Sequence, residues 1–433
     1  MTVRATFALA CLLAAAVPAA DAEEARSSNT VITAARLIDV ASGRIIEYPA
    51  IFVTDGKVTS VADARTVRWG AGVTHVDLGE RTVLPGLIDM HVHLTGLAEI
   101  GGYQSLKYTD SFWGAVSVAN AKKTLEAGFT SVRDVGSADF QDVGLQQAID
   151  GGWVPGPRIV PAAYALGATG GHCDNTGLPP SLHAGDESIV DSPAQGRAKV
   201  RWLHKYGAEV IKICATGGVF SLGDSVGGQQ LSFEEMKAIA DEAHMLHLKV
   251  AAHAHGDEGI RTAIKAGIDT IEHASLASDE TIKLAVKHKT WFSMDIYNDD
   301  YIVATGTANG TEPESLEKEK AIALKQRQTF QRAVRAGVPM IFGSDAGVYP
   351  HGDNGRQFAK MVEWGMTPLQ AIQAATLNAA KALGREDEVG QLTPGHYADL
   401  IAVDGDPLAD VRVLESVPVV VKGGELVKGP PVR

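Results

Sequence analysis

Apolar and polar positions along the chain follow two rhythms. From about Asn29 to Val83, short runs alternate apolar and polar residues. They are Thr30–Ala34, Ile51–Thr54 and Lys57–Val61, the last two flanking an Asp55-Gly56 pair. That is the period of a half-buried strand with the turn signal of a hairpin. The texture returns near the other end, in Leu400–Val403 and in Val417–Val421 before Lys422-Gly423-Gly424. Two β-rich ends around a long middle predict one small β-sandwich built from both termini, over residues 23–83 and 385–433.

The middle, residues 84–384, alternates apolar runs with helix-period stretches. Gly86–His91, Thr130–Val135, Arg158–Ala162, Val210–Ala215, Lys249–His253, Thr270–His273, Trp291–Asp295 and Met340–Ser344 read as strands. Phe233–His247, Gly259–Ala266 and Lys318–Ala336 read as helices. Eight strands alternating with helices predict an α/β fold of the (β/α)8 TIM-barrel type. The competing open, doubly wound sheet would carry a Gly-rich phosphate loop after its first strand, and none is present. The charge run Glu314–Lys320 reads as a solvated helix face.

The first residues stand outside this pattern. Arg4 precedes the apolar run Ala5–Val17, then Pro18 and Ala19-Ala20-Asp21-Ala22. A charged start, a short apolar stretch and an Ala-x-Ala site predict a signal peptide over residues 1–22, cut after Ala22, and hence a secreted or periplasmic protein. No later stretch has the length of a membrane span. With 39 Lys+Arg against 52 Asp+Glu, the net charge of -13 disfavours nucleic acid and anionic lipid as partners. Cys11 leaves with the leader, and whether Cys173 and Cys214 pair is left open.

The candidate chemistry sits at strand ends. His91 and His93 close the first strand in Asp89-Met90-His91-Val92-His93, and period-2 alternation puts both rings on one face. His253 ends the fifth strand, His273 the sixth and Asp345 the eighth. In a barrel these ends converge on one mouth, where four His and one Asp make a cage for a borderline divalent metal, zinc above all. Lys212 lies inside the apolar strand Val210-Ile211-Lys212-Ile213, where a bare ammonium is costly. Either it pairs with a buried carboxylate, or it reacts with CO2 to give a carbamate whose oxygens bridge two metals. His244 and His247 sit on a helix at i, i+3 and read as surface or packing residues. His75, His183, His204, His288, His351 and His396 lie off the strand ends and read likewise.

His91-x-His93, Lys212 on the fourth strand, His on the fifth and sixth and Asp345 on the eighth resemble the amidohydrolase superfamily. Val83-Leu84-Pro85-Gly86-Leu87-Ile88-Asp89 and Gly390–Gly395 with Ala398-Asp399-Leu400 extend that resemblance over nearly the whole mature chain. Thr169-Gly170-Gly171-His172, Ile211–Gly218 and His253-Ala254-His255-Gly256 are similar to its prolidase-like, imidazolonepropionase-related branch, which includes Xaa-Pro dipeptidases and ochratoxin-hydrolysing amidases. The resemblance implies that His91, His93 and Asp345 bind one metal, that His253 and His273 bind the other, and that Lys212, as N6-carboxylysine, bridges them. His255 replaces His253 if the strand end is off by two residues, and otherwise faces substrate. A metal-bridging hydroxide would attack the amide, with Asp345 moving the proton and His172 on the carbonyl or oxyanion.

Tyr164, Tyr297, Arg133 and Arg356 are candidates for touching substrate, the arginines as partners for a carboxylate. The Gly- and Ser-rich loop Ser221–Gln230 is long enough for a mobile lid. The implied activity is hydrolysis of dipeptides or N-acyl amino acids, with a small-molecule or dipeptide substrate as partner and a homo-oligomer as the expected assembly. A cyclic amide or lactone hydrolase is the same-class alternative. A non-catalytic binding protein on this fold would be expected to have lost a ligand position, and all six are filled.

Overall fold

The computed structural model describes residues 29–182 and 187–430; the expected leader and His183 lie outside the described residues. Strands Pro49–Thr54 and Lys57–Asp63 pair antiparallel with Thr54 opposite Lys57. Asp55 and Gly56 turn the chain at φ 51° and 75°, the doubly positive φ of a type I′ hairpin turn. Asn29–Thr33 and Thr74–Asp77 complete a four-stranded sheet.

A six-stranded sheet faces it and draws on both chain ends. Its order is Glu425–Lys428, Val419–Lys422, Leu400–Val403, Thr82–Pro85, Arg36–Asp39, Arg44–Glu47. The seam is antiparallel, with Ile401 opposite Leu84. Ile32, Ile51, Val53, Leu78, Val83, Leu400 and Val419 share one buried core, so neither end can bury its apolar face without the other.

Between these ends run eight parallel strands: Leu87–Val92, Phe129–Asp134, Arg158–Pro161, Val210–Cys214, Lys249–Ala254, Thr270–His273, Trp291–Ser293 and Met340–Ile341. The first three form one ladder and the last five another. Backbone bonds join the two ladders at both seams. Met90 N–H donates to Phe342 O (2.9 Å) and His93 N–H to Ala346 O (2.8 Å); Leu166 N–H donates to Lys212 O and Cys214 N–H to Leu166 O (both 2.8 Å). The ring is closed in the manner of a TIM barrel.

The seventh and eighth strands are shorter than their apolar runs. Past Ile341, Phe342 N–H turns outward to Ala374 O. A Cβ on Gly343 would lie 2.9 Å from that of His91, so only glycine lets the chain pass the first strand there.

Helices cover the outside. Phe233–Met245 starts in a capping box between Ser232 and Glu235 and buries Met236, Ile239, Ala240 and Ala243, the i, i+3, i+4, i+7 stripe of an amphipathic helix. Pro313–Ala336 buries Leu316, Ile322, Phe330 and Ala333, and on the same face Glu319 and Gln326. The reading of Glu314–Lys320 as a solvated face is thus corrected at Glu319: helical spacing puts it in line with Leu316 and Ile322. No helix among the described residues is long and apolar enough to cross a membrane.

Candidate active site at the barrel mouth

The first strand delivers His91 and His93. Asp345 Oδ1 lies 3.3 Å from His91 Nε2 and 3.4 Å from His93 Nε2. The far nitrogens are held: His91 Nδ1 is 3.1 Å from Glu272 Oε2, and His93 Nδ1 3.1 Å from Gly136 O. Burial would raise the Asp345 carboxyl, but the His91 and His93 imidazoles outweigh it and hold the group well below the usual carboxylate range. Asp345 (φ 60°) and His273 (φ 67°) both adopt left-handed backbone, a strain of order 1 kcal/mol or more that clusters at functional sites.

Register aligns the remaining groups. Cys214 pairs with His253 across one pair of strands and Ala254 with His273 across the next, so their side chains emerge at neighbouring strand ends. His253 and His273 have ring centroids 4.6 Å apart, and His255 stacks on His273, also at 4.6 Å. His273 Nδ1 is 2.8 Å from Asp295 Oδ1, and His255 Nδ1 is 2.7 Å from Ser275 Oγ. Gln326 joins these supports, donating to Asp295 Oδ1 (3.0 Å) and accepting from Ser275 Oγ (3.1 Å).

Lys212 lines the same cavity. No hydrogen bond or ion pair of its ammonium is seen among the described residues, and the Glu272 and Asp345 carboxylates act on it through charge alone. Burial pulls it down to about 8. His172 stacks on His253 with centroids 4.0 Å apart, and its Nδ1 lies 2.9 Å from Ser221 Oγ. A Cβ on Gly218 would sit 2.3 Å from the His172 ring; glycine makes room for it. Burial, then the charge of His273, lowers His172 to about 3, which keeps the ring neutral.

The structure therefore brings His91, His93, His172, Lys212, His253, His255, His273 and Asp345 to one cavity. The other four candidates stand elsewhere. Arg133 is buried inside the barrel, donating to Met90 O, Thr270 Oγ1 and Glu272 Oε1, and does not line the cavity. Tyr164 bonds Asp139 Oδ1 and packs against Phe140 and Trp202. Tyr297 packs edge-on against Tyr349, and Arg356 pairs with Asp353 on the surface. In the loop Ser221–Gln230, Ser221 O and Asp224 Oδ1 accept from Lys318 Nζ, and Gly223 N–H donates to Glu314 Oε1.

Three residues with work at this site are not among the candidates singled out in the sequence, although Asp295 closes the seventh run. Glu272 orients His91, Asp295 orients His273 and Asn298 lies 3.4 Å from Asp345 Oδ2. The signal for Glu272 was present in Thr270-Ile271-Glu272-His273, a charge inside a buried strand, with an opposite charge at Arg133 in another. His351, off every strand end, is buried with Nε2 3.0 Å from His93 O, a packing role beneath the site.

The donor set fits divalent metal. The nitrogens of His253, His255 and His273 lie within 4.8 Å of one another, as do the donor atoms of His91, His273 and Asp345. A tetrahedral ion with arms of about 2.0–2.1 Å sets its ligand atoms about 3.3–3.4 Å apart. Those are the His91–Asp345 and His93–Asp345 separations. Cys173 and Cys214, open in the sequence, form a disulfide on the cavity wall.

Similarity to known proteins agrees with this geometry. Residues 82–427 match the Amidohydrolase family. Ochratoxinase of Aspergillus niger is 35% identical over 370 residues, covering 80% of this chain and 76% of that protein. The crystal structure of a Xaa-Pro dipeptidase with bound methionine superposes with a TM-score of 0.87 at 36% identity, over 93% of this chain and 100% of that one. A prolidase complexed with N-methylphosphonate-L-proline gives a TM-score of 0.86 at 31% identity, over the same 93% and 100%. The chain belongs to the Amidohydrolase family and is a hydrolase acting on carbon–nitrogen amide bonds.

Proposed function

We propose that the chain is an exported hydrolase with two divalent metal ions, zinc first among them, that cuts the amide of dipeptides or N-acyl amino acids. The observation that carries this reading is the convergence of His91, His93, Lys212, His253, His273 and Asp345 on one cavity. The named relatives support the substrate class, because one is a Xaa-Pro dipeptidase and another a prolidase. Export rests on the leader pattern of residues 1–22.

His91, His93 and Asp345 would hold one ion and His253 and His273 the second, with Lys212 between. Lys212 suits carbamate formation because its amine is buried and held down to about 8: nitrogen attacks CO2, an N–C bond forms and the amine releases a proton. Bound ions would supply an acidified water and polarise the scissile carbonyl. Asp345 Oδ2 is placed to take the proton of the attacking water and return it to the leaving nitrogen, since Oδ1 is the atom shared with His91 and His93. His172 lines the cavity beside His253. The Ser221 hydroxyl beside its Nδ1 also reaches the Asp224 carboxylate at 2.9 Å, and the tautomer with hydrogen on Nε2 is the one that could donate to the carbonyl oxygen.

The test is an assay of methionyl-proline and N-acetylmethionine with zinc and bicarbonate, using wild type and Asp345→Asn. Cleavage of at least one, with turnover falling by about 10²–10⁴-fold in the variant while metal is retained, is the expected result. Cleavage of neither by the wild type, or full turnover by Asp345→Asn, contradicts the reading.

A further inference from the structure

The cavity has a second wall that the chemistry above leaves unused. Asn298 and Asp299 open the helix Asn298–Asn309, and Glu319 projects from the buried face of Pro313–Ala336 beside it. All three line the cavity that holds the metal-ligating residues, and all are more than nine-tenths buried, at 6%, 2% and 3% exposure. Asn298 Oδ1, Asp299 Oδ2 and Glu319 Oε1 receive no N–H or hydroxyl hydrogen among the described residues; the Asp299 and Glu319 carboxyls instead bond each other through one shared proton.

Buried acceptors are normally satisfied, so three on one wall need a reason. The nearest cation pairs with Asp299 by charge, without a hydrogen bond. Arg327 Nε is 3.4 Å from Asp299 Oδ2 but gives its hydrogen to Ile296 O, and its Nη2 is spent on Asp300. Burial, then the hydrogen bond with Asp299, pushes the Glu319 carboxyl well above its usual range, so the pair holds one proton that an arriving cation would displace.

Asn298 is the independent observation, because it is no acid. Its Nδ2 is committed to Asp295 Oδ2 and faces Asp345 Oδ2 at 3.4 Å, so the opposite end of the same amide carries the unpartnered oxygen. The acceptors therefore begin one amide group away from the carboxylate assigned to proton transfer. In a dipeptide, the free α-ammonium sits one carbon from the scissile carbonyl and carries three N–H donors. In an N-acyl amino acid that position is neutral.

We infer that Asn298, Asp299 and Glu319 form a subsite for the substrate's free α-ammonium, which selects dipeptides over N-acylated substrates. The inference rests on the amide-hydrolase reading and narrows its substrate class. Ile302 and Val348, on the same cavity wall, offer apolar surface for the side chain of that residue.

The experiment compares methionyl-proline with N-acetyl-methionyl-proline in wild type and Glu319→Gln. A charge-assisted contact predicts that wild type favours the free amine, and that the variant loses about 10–100-fold in kcat/KM on methionyl-proline, mainly through KM. The acetylated substrate should change less than about twofold on that scale, and metal content should not change. Equal losses on both substrates, an unchanged preference, or loss of a metal ion overturns the subsite. Calorimetry on metal-loaded wild type, with methioninamide against N-acetylmethioninamide, reads the same subsite without a substitution and without turnover. Preference for the free amine supports it and equal affinity overturns it, even if neither dipeptide is cleaved and the proposed function falls.

Discussion

Arg133 and Glu272 show how a residue can matter without touching substrate. The guanidinium is 2.7 Å from Glu272 Oε1, and both side chains are sealed inside the barrel. Burial would raise Glu272, but Arg133 and then His91 outweigh it and keep it ionised. The carboxylate in turn fixes the His91 ring, the carboxylate–histidine support that metal sites use. Removing one member of a buried pair strands the other, so Arg133→Met should cost about 3–5 kcal/mol in a denaturant melt and lower metal occupancy. Arg356→Ala, at an exposed pair, should cost less than about 1 kcal/mol and leave turnover unchanged. Equal stability of the two variants would refute the distinction. In the sequence one arginine lies in the second strand run and the other follows the eighth; only the packed strands reveal that the first is sealed inside the barrel.

At the scale of elements, the barrel was legible because its strands are short apolar runs at regular spacing, and the first, fifth, sixth and eighth end at or beside a site residue. The hairpin at Asp55-Gly56 was legible for a similar local reason: two residues must take positive φ. The wall made by Asn298–Asn309 and Pro313–Ala336 was not. Glu319 sits in a run of charges, and only the packing of one helix on its neighbour turns it inward.

The Cys173–Cys214 pairing was equally hidden, since 41 residues separate the two. It ties the loop carrying His172 to the strand carrying Lys212. Closing a loop of that length contributes about 3–4 kcal/mol in the chain-entropy account. Reduction should therefore lower Tm by several degrees, and denatured, unreduced protein should show no free thiol from these cysteines. Two titratable thiols without reductant would contradict the bond.

Across the whole molecule, chain ends and barrel support each other. Leu400–Val403 returns to pair with Thr82–Pro85, the strand that leads into His91 and His93. Arg158, on the third barrel strand, holds Asp399 at 2.8 Å just before the returning strand. The first metal-ligating strand is thus anchored from outside the barrel as well as within it. The central proposal is two metal ions at one barrel mouth with Lys212 between them, and anomalous X-ray diffraction from zinc-loaded crystals tests it most directly. Two zinc peaks are expected, one against His91, His93 and Asp345 and one against His253 and His273, with carbamate density on Lys212 joining them. A single peak with an unmodified Lys212 amine would contradict that proposal.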